Sequence, residues 1–262
     1  MMRSLLIRGM LAGIAAAALA LVIAWIYGEP QVGHAISFEE ARAATHHHGG
    51  EAAEAEVVSR TAQKTAGLIT AMVVYGVAVG GLFAIAFAFA YGRIGAIDAR
   101  ATAALVALGG FVAVVVVPFL KYPPTPPAVG NPDTIGSRTT LYFGMVALGL
   151  LGTAAAVIVQ RRLLPRLGAW NATIVAAVGF AVVVGIVHRF TPEPDAVADG
   201  FPATVLWDFR IASLGIQVVL WATLGLLFGA LTERAFRTHQ AEPAQRVSST
   251  QSPHISPPGG TR

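Results

Sequence analysis

Apolar positions in this chain fall in long unbroken blocks, not at the spacing of a soluble core. The blocks cover 9–27, 66–91, 101–120, 140–159, 170–188 and 211–231. An α-helix needs about 20 apolar residues to cross the hydrocarbon layer, and only a helix or a closed barrel satisfies its backbone there. The pattern predicts an all-α polytopic membrane protein with about six transmembrane helices over residues 1–237. Residues 238–262, rich in Pro, Ser and Gln, read as a disordered cytoplasmic tail. The first block, RGMLAGIAAAALALVIAWIY, follows Arg3 and Arg8. It is longer than a signal-peptide core and no A-x-A site follows it directly, so a retained anchor is expected.

Composition agrees. Apolar residues make up 55% of the chain and charged ones 12%, about half the usual charged share of a soluble domain. The net charge of +4 could suggest nucleic acid, but the only lysines are Lys64 and Lys121. No basic patch with interleaved aromatics exists, which excludes that class. Topology explains the charge better. With the N-terminus inside, the inner pieces hold eleven basic residues and the longer outer loops seven. The positive-inside rule then places both termini in the cytoplasm. Eleven acids fall outside, and only Asp98, Glu233 and Glu242 fall inside. An anionic vestibule that concentrates cations would account for this, and so would long solvated loops.

Absent motifs narrow the chemistry. The chain has no G-x-x-x-x-G-K-[ST], H-E-x-x-H or G-x-S-x-G, and no nucleophile–base pair that would suggest an enzyme. The span centres lack Asp, Glu, Lys and Arg, which disfavours ion-coupled transport by this chain alone. Cysteine is absent, so any metal must be held by nitrogen and oxygen donors. On that ground the metal candidates are Glu29, His34, Glu39 and Glu40, with Asp133, His188 and Asp208 second. The bland readings are a helix-end histidine for His188 and a solvated linker for the run His46–His48 with its neighbouring acids. Asn171, Gln217 and Tyr75 within the spans suit helix–helix hydrogen bonds.

Local signals fill in the frame. Ser37 and Glu40 fit a capping box for a short surface helix. Five prolines between Pro123 and Pro132 give a stiff extended cover. Pro118 should kink the third span or mark its exit. Gly76/Gly80 and Gly225/Gly229 have the G-x-x-x-G spacing of close helix contact. Trp25, Tyr27, Tyr122 and Trp207 fall near one interface, Tyr91 and Trp170 near the other. Arg60, Arg138 and Arg210 each introduce a span after a long outer loop.

Several segments, taken together, resemble the CbtA family of probable cobalt transporter subunits. They are RGMLAG, YGEPQV with HAISFEEA, VSRTAQ, YGVAVGGLFAIAFAFAYGR, PFLKYPPTPPAVGNPDTIGSRT, LGAWNAT and FPATVLWDFRIASLG, and the likeness runs from about Leu5 to Glu233. Pro124 stands where the family has a small residue, and the HHHGG insert looks particular to this chain. The resemblance implies five or six spans and a small single-span, histidine-rich CbtB partner in a cobalamin-related setting. It also implies cobalt or a similar divalent cation as cargo, with no permanently bound cofactor. It carries no residue-level site. A second copy of the chain is a further expected partner. The rival expectation is a non-transporting scaffold that stabilises a partner membrane protein.

Overall fold

The computed structural model describes residues 2–46, 59–127, 129–130, 134–194 and 197–250, and their regular structure is entirely helical. Helix α1 runs through Met2–Ile23, a π-helical turn at Ala24–Gly28, and Glu29–His46. Helix α2 spans Arg60–Ala90, with a π-helical turn at Gln63–Gly67. Helix α3 spans Ala99–Lys121, with another at Val112–Val116. Helix α4 covers Ile135–Phe190 and α5 covers Ala203–Thr250. All five are long and apolar enough to cross a membrane.

Five of the six expected apolar blocks lie wholly inside these helices and the block 66–91 passes the end of α2 by one residue; two of the blocks share α4. At 56 residues α4 contains one non-helical residue, Gly168, with φ 73° and ψ 168°. Only glycine adopts that conformation at little cost. A Cβ on Gly152 would stand 2.8 Å from the Phe180 ring. In a straight helix those residues would be about 42 Å apart, so α4 doubles back as a hairpin. The turn expected over 160–169 shrinks to a single left-handed residue. Its flank RRLLPRL is made mostly of strong helix formers, and these keep the helix intact up to the bend.

Packing follows the glycines. A Cβ on Gly9 would strike the Gly80 carbonyl, and one on Gly13 the Gly76 carbonyl. These two pairs zip α1 and α2 together antiparallel, backbone on backbone. The second G-x-x-x-G pair does the same for α5 and α3: Gly225 sits on Ala107 and Gly229 on Ala103 and Arg100. Both spacings therefore act as the sequence implied. In lipid there is no hydrophobic drive between helices, so dispersion at close approach must hold them. Larger side chains fill the space between the two zippers. Phe228 of α5 meets Phe83 and Phe87 of α2 edge-on at 5.2 and 4.9 Å between centroids. The α4 hairpin lies at the margin, resting on α3 where Gly149 approaches the Ala113 backbone.

Helix ends explain two acids. Asp98 Oδ1 accepts the Ala101 N–H at 2.6 Å, an N-cap for α3. Glu233 Oε2 accepts the Ala99 N–H at 3.2 Å and Oε1 pairs with Arg237 at 3.0 Å. Both carboxylates thus satisfy orphan donors at the positive end of α3's dipole. Pro118 has no N–H to give the preceding turn, and the π-helical turn before it absorbs that loss.

One local expectation is corrected. Ser37 does not begin a helix. It lies inside Glu29–His46, and its Oγ donates to the Gly33 carbonyl at 3.1 Å. The S-x-x-E pattern also occurs in mid-helix, where the hydroxyl bonds back one turn. Helix α5 is drawn through Thr250, and the remainder of the stretch read as a tail, 251–262, lies outside the described residues.

Candidate functional site

The densest polar arrangement near the candidate residues lies where α1 and α2 meet at their π-helical turns. Such turns widen the helix and loosen its ladder, and they recur at functional positions. The Trp25 indole N–H donates to the Lys64 carbonyl at 2.8 Å, tying one π turn to the other. One helical turn further on, Arg60 Nη2 donates to Glu29 Oε1 at 2.6 Å. The Glu29 side chain is 24% exposed and that of Arg60 32%, so the pair is in reach of solvent. A groove of about 440 Å³ opens beside them, lined by Trp25, Glu29, Ser37, Glu40, Arg60 and Lys64 among others. Two carboxylates face two cationic groups, giving a balanced site with oxygen donors. Such donors suit a divalent cation, and one entering here would compete with Arg60 for Glu29.

The other candidates are dispersed. His34 and Glu39 sit on the same helix as Glu29. At about 100° per residue they point some 140° and 80° away from it, and neither lines the groove. Asp208 borders a separate groove between α1 and α5, of about 450 Å³, with Tyr27 and Gln31. His188 lies near the end of α4, close to Lys121 and hydrogen-bonded to the Val117 backbone. Its Nε2 is buried without a hydrogen-bond partner among the described residues. Asp133 and His47–His48 lie outside the described residues, as does the side chain of His46. Among the described residues no three of His, Cys, Asp and Glu converge on one point.

The proline-rich segment after α3 covers a further cavity of about 370 Å³, lined by Tyr122, Pro124, Arg138 and Tyr142 among others. Its edges are tied down. Lys121 Nζ pairs with Glu193 at 3.2 Å, and the Tyr122 hydroxyl donates to the Pro192 carbonyl at 2.9 Å. The three arginines noted in the sequence share a role here. Arg60 binds back to Glu29 at the end of the preceding apolar block, the Arg138 guanidinium packs on Gly130, and Arg210 Nε donates to the Pro124 carbonyl at 3.4 Å. Each fastens a connection between helices. Sequence reasoning saw their regular placement but not the fastening. It also missed Arg60 and Lys64 as groove residues, since a cation is not sought among metal ligands.

Comparison with known proteins agrees with this architecture. No curated protein and no solved structure matches the chain. A family model described as "Probable cobalt transporter subunit (CbtA)" matches residues 2–233, which takes in all five apolar helices almost to the end of the last span. The chain is a multi-pass membrane protein that belongs to the CbtA family.

Proposed function

We propose that this protein is the membrane subunit of a complex that carries cobalt, or a similar divalent cation, into the cytoplasm. On this reading the two arms of the α4 hairpin count as separate crossings, six in all, in a bacterial inner membrane, and the basic bias supports both termini on the cytoplasmic side. The groove between α1 and α2 then faces outward. What supports the reading, beyond family membership, is Glu29 and Glu40 in one solvent-reachable groove with Ser37. Cation binding to Glu29 displaces Arg60, so capture and release are an exchange of one positive partner for another. His34, Glu39, Asp133, His188 and Asp208 are the remaining proposed contacts along the outer surface. A small single-span, histidine-rich CbtB-like subunit completes the pathway, and this chain carries out no catalysis of its own.

Labelled-cobalt uptake in cells making both subunits tests this. Glu29→Gln with Glu40→Gln, at unchanged protein level, is expected to lower uptake at limiting cobalt about tenfold. Wild-type uptake by that variant would remove the groove from the pathway.

A second reading has its own support. The described residues bring no three potential metal ligands together, and Glu29 is already paired. A scaffold that stabilises the partner would need neither feature to differ. Flux in liposomes separates the two: cobalt entry that requires both subunits supports transport, and partner stability without entry supports the scaffold.

A further inference from the structure

On helix α5 the buried Trp221, Leu224, Phe228 and Thr232 form a stripe that the half-buried Gln217 continues, with spacings of four, three, four and four residues. Leu224 and Phe228 are completely buried and Trp221 is 8% exposed. Polar atoms on this stripe are out of place. Gln217 Oε1 and Trp221 Nε1 are both buried, and neither has a hydrogen-bond partner among the described residues. An acceptor and a donor one helical turn apart lie on the same face. Left bare, each would be costly, and most such atoms in proteins are met by a neighbour or by ordered water.

The surroundings point the same way. The register that seats Gly229 on Ala103, Gly225 on Ala107 and Trp221 on Gly110 carries Gln217 to the level of Val112–Val116, the π-helical turn of α3. That turn is where α3 widens and where Pro118 withholds a donor. Gln217 is therefore level with the one stretch of α3 whose backbone departs from a regular helix, and Trp221 sits just before it.

We propose that Gln217 and Trp221 form a buried hydration site in the seam between α3 and α5. One water accepts from the Trp221 indole N–H and donates to Gln217 Oε1. Buried waters typically bridge two to four such groups. The site does not depend on the transport reading, and it gives the apolar middle of the bundle one fixed polar point.

Nuclear magnetic resonance on the full chain in nanodiscs, with ¹⁵N-labelled tryptophan, tests it. The Trp221 indole resonance is assigned by its loss in Trp221→Phe. The expected result is a cross-peak between this buried N–H and water, which Gln217→Leu shifts or abolishes. Absence of the cross-peak overturns the proposal, and so does an indole resonance that Gln217→Leu leaves in place. Thermal midpoints give an independent reading that needs no assignment. Gln217→Leu and Trp221→Phe are each expected to lower the midpoint by a few degrees, with the double variant no lower than the worse single. Additive losses, or a rise in either single variant, overturn the shared water.

Discussion

The α1–α2 pair and the α4 hairpin are built from similar apolar sequence yet are held in different ways. In α1 the most apolar window is 39% buried within the protein, and in α4 only 17%. The first pair has glycine facing glycine across the interface, so two backbones touch. The hairpin has glycines too, but Gly144, Gly179 and Gly185 meet nothing within 4 Å. Glycine count is therefore a poor guide to packing in a membrane. What matters is whether a small residue, glycine or alanine, stands opposite.

The largest expected effect breaks the tight side of this comparison. Gly80→Leu drives a side chain into the Gly9 carbonyl. Backbone cannot move aside as a side chain can, so the cost should reach the top of the overpacking range, about 3 kcal/mol. Loss of monodisperse protein on extraction, or a midpoint well below wild type, would register it. A wild-type midpoint would mean that α1 and α2 do not touch here.

A middle effect tests the fold-back of α4. Gly168→Ala forces a positive-φ backbone that essentially only glycine adopts on a residue with a Cβ, costing about 1–3 kcal/mol, while nothing around it resists the added atom. A modest fall in thermal midpoint with normal expression is expected. An unchanged midpoint would argue against the left-handed bend.

The smallest effect has the opposite sign. Gly144→Ala adds a methyl in open space on a helix. It should stabilise by roughly 0.5–1 kcal/mol through reduced backbone entropy alone. The same change at Gly80 should destabilise, and measuring both midpoints sharpens the contrast to one methyl group in two places.

The fold was largely legible because lipid imposes its own length on apolar blocks, and because G-x-x-x-G spacing specifies a face without knowledge of the partner. The bend at Gly168 was harder to place. Its neighbours favour helix, and a single residue suffices for the reversal. The candidate site was legible only in part. Glu29 and Glu40, eleven residues apart, return to the same face of a helix, whereas His34 and Glu39 look equally close in sequence but turn away. That distinction needed the knowledge that α1 continues unbroken past Gly28, which a glycine followed by Glu-Pro hides. Gln217 showed a similar gap. Its presence in a span suggested a bond between helices, yet its carbonyl oxygen has no partner among the described residues.

Helix α1 has one more consequence. From Met2 to Arg42 it is 41 residues long, about 60 Å at 1.5 Å per residue, while the oily layer is only about 30 Å thick. The helix is thus about twice as long as that layer is thick, and the Phe38 ring braces its polar far half against Phe201 at 5.2 Å. That far half is continuous with the rod zipped to α2 at Gly9 and Gly13, so one helix joins Glu39 to the glycine contacts of the bundle.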